Sequence, residues 1–155
     1  MKIFPTKEIK FRLIDNQEDT LERLKRRTEY SKNFISSYTD KSFRGIIKNN
    51  TFKIISSEIG KGALCVMSGK IENKNGFVNL EVNKAFKVLF SILFILPIVA
   101  IIFQTITNPK DIIFYILVAI GQLFIIRFIF ITIFFSKMYK HSINRLRDVL
   151  DIEYY

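Results

Sequence analysis

One cysteine, Cys65, and one histidine, His141, are all that 155 residues supply of the side chains most used for disulfides, thiol nucleophiles and transition metals. A lone cysteine excludes an intrachain disulfide, which agrees with a reducing cytoplasmic setting. A metal centre needs several converging ligands, and a cysteine nucleophile needs a base beside it. Cys65 instead sits in an apolar strand, where a small core thiol is the ordinary reading. Nucleophile and phosphate motifs are scarce too. Ser68 lies in Met67-Ser68-Gly69, without the Gly-x-Ser-x-Gly turn that exposes a hydrolase serine. The stretch Ile59-Gly60-Lys61-Gly62 can offer backbone amides and one ammonium to a phosphate or lipid headgroup, but lacks the Walker spacing. A plain turn is its simpler reading. No basic-and-aromatic platform motif is present, so nucleic acid is not an expected partner. These absences point away from an enzyme and from a cofactor.

What the chain has is apolar length and positive charge. Residues 84–136 are dominated by Ile, Leu, Phe and Val, whereas residues 1–83 are mixed and charged. From Val88, 22 residues carry no formal charge, enough to cross a hydrocarbon core of about 30 Å at about 1.5 Å per residue. A second apolar run begins at Ile112 and continues to Ser136, broken only by Arg127. The expected organisation is a β-rich domain over residues 1–85, a transmembrane helical hairpin over 86–136 (spans at about 88–107 and 112–136), and an amphipathic helix and tail over 137–155. An N-terminal signal peptide does not fit a run that starts this late.

Lys84 and Lys87 precede the first span, and Lys137, Lys140, Arg145 and Arg147 follow the second, while the link between the spans has only Lys110 beside Asp111. The positive-inside rule then puts both termini in the cytoplasm, as in a multi-pass protein of the cell inner membrane. The chain has 24 Lys and Arg against 14 Asp and Glu, a net charge of +10. A basic surface is drawn towards anionic headgroups, although an excess of lysine also serves solubility alone.

The soluble part reads as α+β: a small antiparallel β-rich domain with one helix. Residues 42–48 and 51–57 flank Asn49-Asn50, and residues 64–72 and 77–82 flank Asn75-Gly76, so two hairpins are expected, the second turning at the Asn-Gly pair. In its last strand Val78, Leu80 and Val82 face the core, opposite Phe77, Asn79 and Glu81. Residues 8–14 form a further strand, and residues 20–30 a helix with Leu21, Leu24 and Thr28 on one side. Consecutive hairpins make a meander the simplest topology, as a curled sheet or a small barrel. Tyr139, Ile143, Leu146 and Leu150 recur at helical spacing after the second span. That seam needs an apolar partner: the β domain itself or, alternatively, a second copy.

Few residues stand out as sites. Arg23, Arg26 and Arg27 cluster with Lys25 on the first helix as headgroup or anion contacts, together with Lys61, although clustered helix charge is more often a solvated face. Within the second span, Arg127 is close enough to the cytoplasmic end to snorkel. Gln122 lies deeper, where an amide gains from bonding another helix. Together they mark polar contacts of an oligomer, with the chain itself or another membrane protein as partner besides the lipid.

The run Ser42-Phe43-Arg44-Gly45-Ile46-Ile47, then Thr51-Phe52-Lys53-Ile54, Gly69-Lys70-Ile71 and a hairpin resembles small uncharacterised bacterial two-helix membrane proteins with a β-rich N-terminal domain, over about residues 42–104. The resemblance implies an architecture and carries no activity. The preferred function is a non-enzymatic, membrane-anchored binding or scaffold module. The alternatives are an oligomerising membrane effector that permeabilises the bilayer in bacterial defence, by analogy of architecture, and a lipid-acting enzyme.

Overall fold

Strand alternation sorts the β domain into two faces, only one of which acquires a helical cover. The computed structural model describes residues 4–60 and 62–154. In chain order these form β1 (Thr6–Leu13), α1 (Gln17–Arg26), β2 (Thr28–Tyr30), β3 (Phe43–Lys48), β4 (Thr51–Ser56), β5 (Cys65–Glu72) and β6 (Asn75–Val82). The helical part follows: α2 (Lys84–Thr107), a 3-10 turn at Pro109–Asp111, and α3 (Ile112–Ile125). A π-helical segment, Ile126–Ile133, carries α3 into α4 (Phe134–Leu150), and β7 (Ile152–Tyr154) is the last described element. The fold is α+β, with one seven-stranded sheet in the order β2-β3-β4-β5-β6-β1-β7.

Strands β3 to β6 are the expected meander, antiparallel at each step. β1 then adds on the outer side of β6, and β7 on β1. The sheet stays open, with β2 and β7 at its edges. On the inner face, Phe11, Phe43, Ile54, Met67, Val78 and Leu80 are buried to 1% exposure or less. Leu24 of α1 and Ile143, Leu146 and Leu150 of α4 join the same core. The amphipathic seam after the second apolar run therefore docks on the chain's own sheet. Burying a leucine of this kind is worth about 1.5–3 kcal/mol, far more than any one of the surface ion pairs around it.

Three local expectations are corrected. The first helix stops at Arg26 rather than at residue 30, and Thr28–Tyr30 pairs parallel with β3, so the domain is not purely antiparallel. The β5–β6 turn is Asn73-Lys74, with Asn73 at φ 54°, while Asn75 and Gly76 lie inside β6. Gly76 has a packing reason instead: a Cβ there would come within 2.5 Å of the Phe11 ring. The tail includes a strand, β7, rather than ending with α4.

α2 and the continuous helical run from Pro109 to Leu150 are both long and apolar enough to cross a membrane. Only 11% and 18% of their most apolar stretches are buried within the chain, so most of their apolar surface faces outwards rather than into its core. Buried Asn83 is the hinge between sheet and helix. Its side-chain oxygen accepts from the Ala85 amide at the start of α2, and its Nδ2 donates to Phe34 O at 2.7 Å and Ala63 O at 2.8 Å.

Candidate functional site: the uncovered sheet face

The outer face is set by the register. One row across the strands reads Ile46, Lys53, Ser68, Asn79 and Glu8; the next reads Lys48, Thr51, Lys70, Phe77 and Lys10. Neighbouring strands lie about 4.8 Å apart, so the second row extends about 19 Å from Lys48 to Lys10. At the end nearer α2 this face is closed: Ile55 and Val66 point outwards yet are 0% and 3% exposed. The connection formed by residues 31–42 is tied over that end by Arg44 Nη1 donating to Ile35 O at 2.9 Å and by the Asn83–Phe34 bond. Lys53 Nζ stands 5.2 Å from the centre of the Phe34 ring, a cation–π contact at the border of the covered zone.

Beyond that border the face is open. Residues including Ile46, Lys48, Thr51, Lys53, Ser68, Lys70, Phe77 and Asn79 line a shallow concavity of about 540 Å3. Phe77 is 43% exposed, an unusual place for a phenylalanine unless something covers it. Lys70 pairs with Glu72 on its own strand. Counting Lys10, Lys48, Lys53 and Lys70 against Glu8 and Glu72, the two rows and their margin keep a positive balance. No family model, no curated protein and no solved structure matches the chain.

The residues singled out in the sequence are scattered. Arg23 bridges Asp15 and Asp151, tying the end of α1 to the end of α4, so its charge is used within the fold. Arg26 and Arg27 are exposed at the end of α1, away from the concavity. Lys61 lies outside the described residues. Gln122 lines a groove between α2 and α3, beside Pro97. Arg127 does not share that groove: its Nη1 donates to Thr132 Oγ1 at 2.9 Å, along its own helix towards α4.

Cys65 and His141 do not form a catalytic pair either. Burial, with the Glu81 charge as a lesser cause, pushes the Cys65 thiol up to about 12, so no thiolate is available at neutral pH. His141 Nε2 contacts Glu58, with Arg145 3.5 Å from the same carboxylate oxygen. Ser56 is close by but fully buried, and its hydroxyl accepts from Arg145. The group clasps α4 to the segment after β4 and has no exposed nucleophile. What sequence reading missed was the row of lysines with Phe77. Its signal was the polar half of each strand's alternation, legible only once the strands are put side by side.

Proposed function

We propose that this chain is a non-enzymatic, membrane-anchored binding module, in which the hairpin of α2 and α3 holds the β domain at a bilayer while the free sheet face takes an acidic, extended protein segment. The observation that carries the reading is the open face itself. A seven-stranded sheet with one side sealed by α1 and α4 leaves four lysines and an exposed phenylalanine on the other. Lysines spread over about 19 Å suit a partner with carboxylates in series rather than one compact anion. Phe77 and Ile46 add the apolar anchor that such interfaces centre on.

The bilayer surface is a weaker candidate for this face. The row through Phe77 lies five residues before Val82, the last residue of β6, about 17 Å of strand back from the end of the sheet nearest α2, or about two Debye lengths at physiological salt. The basic residues at the hairpin's base, Lys84, Lys87, Lys137 and Lys140, are better placed for headgroups. With Lys110 and Asp111 alone between the spans, they favour both termini on the cytoplasmic side of a bacterial inner membrane.

The test is titration of the nanodisc-embedded full chain with a fluorescent peptide of alternating Glu and Leu, at several salt concentrations. Binding is expected to weaken as salt rises, and Phe77→Ser is expected to weaken it about tenfold with the fold unchanged. Binding that ignores both salt and Phe77 contradicts the reading.

A further inference from the structure

Pro97 falls at the fourteenth of the 24 residues of α2, near the middle of the apolar segment. Proline has no backbone N–H, so the carbonyl of Leu93, four residues earlier, loses its helical donor. In water such a carbonyl is solvated; in hydrocarbon it must find another donor or remain unsatisfied at a cost of several kcal/mol. Leu93 and Pro97 line a groove of about 380 Å3 with Leu96, Ala100, Ile125 and Gln122. Gln122 is exposed there, and its side-chain amide, with two donors, has no hydrogen-bond partner among the described residues. Leu93, whose carbonyl has lost its helical donor to Pro97, and Gln122, whose side-chain amide is unpartnered, thus line one groove.

We propose that this groove docks a second copy of the chain, with the Gln122 amide of each hairpin donating to the Leu93 carbonyl of the other. A set that carries both halves of one bond is self-complementary under a twofold axis, and the contact then closes as a dimer rather than growing into a filament. Lipid tails cannot fill this role, since they supply neither donor nor acceptor. The proposal rests on the hairpin spanning a bilayer, and is independent of what the sheet face binds.

The experiment is energy transfer between donor- and acceptor-labelled full-length chains in liposomes, over a range of protein-to-lipid ratios, with alkaline extraction of the same liposomes in parallel. Wild-type chains should pair as dimers and be competed by unlabelled wild type. Gln122→Leu removes the donor and should weaken pairing about tenfold. Pro97→Leu returns an N–H to α2, satisfies the Leu93 carbonyl, and should weaken pairing by a similar factor while helping the helix. Equal pairing of wild type and both variants overturns the proposal, as does a wild-type monomer at every density, which would point to a different membrane partner. Release of the chain by alkali overturns the spanning hairpin and the dimer together; retention without pairing overturns the dimer alone.

Discussion

Cys65 shows how a single residue's surroundings decide its chemistry. Buried at 0% exposure between β4 and β6, it keeps its proton to about pH 12, whereas in the unfolded chain it ionises near its ordinary value of 9.0. Below pH 9 both states hold the proton and titration of the thiol has no effect on stability. Between about pH 9 and 12 only the unfolded chain releases it, so stability falls as pH rises, by up to about 1.4 kcal/mol per pH unit. Denaturant melts of wild type and Cys65→Ala should diverge in this window, and the wild-type thiol should resist iodoacetamide at pH 8 until the protein unfolds; alkylation of the folded chain would contradict it. Gly45 is the second decisive residue. At φ 153° in β3, an added Cβ would collide with the Lys53 carbonyl oxygen and the Ile54 Cα of the neighbouring strand. Gly45→Ala is expected to cost about 2–4 kcal/mol in the same melts. The sequence marks Gly45 only as a glycine inside a strand, because the clash belongs to a strand paired through a turn.

At the scale of elements, α4 decides whether the β domain holds together. Its apolar seam was legible from spacing alone, since Ile143, Leu146 and Leu150 recur as a helix requires, and they are 5%, 0% and 0% exposed. Leu146→Ala should destabilise the domain by about 2–5 kcal/mol. Glu58→Gln, which loosens the half-exposed contacts to His141 and Arg145, should cost less than about 1 kcal/mol. If the order were reversed in denaturant melts, the clasp rather than the apolar seam would hold α4. The elements that sequence misread share a cause. Thr28 continues the apolar spacing of α1 towards residue 30, yet Thr28–Tyr30 is taken by the edge of β3. The Asn75-Gly76 pair signals a turn locally, but the Phe11 ring across the sheet needs Gly76 within the strand. In both cases a contact from elsewhere in the chain outweighed a local preference.

For the whole molecule, the two apolar segments and their charged flanks were plain in the sequence because a span is a one-dimensional pattern of length and hydropathy. The candidate binding face was not. Lys10, Lys48, Lys53 and Lys70 come from four strands, and only the register brings them to one side, opposite the α1–α4 cover. The Arg cluster of α1, more visible as a run, lies apart from this face, and Arg23 within it is spent on Asp15 and Asp151. This contrast frames the most direct test. Lys48, Lys53 and Lys70 are reversed to Glu in one full-length variant, and Lys25, Arg26 and Arg27 in another, giving two proteins of equal net charge. Binding of the acidic peptide to each is measured in nanodiscs at physiological salt. The open face as binding surface predicts a loss of more than tenfold for the first variant and less than about twofold for the second. Equal losses would mean that net charge alone attracts the peptide, and would contradict a binding site on the sheet.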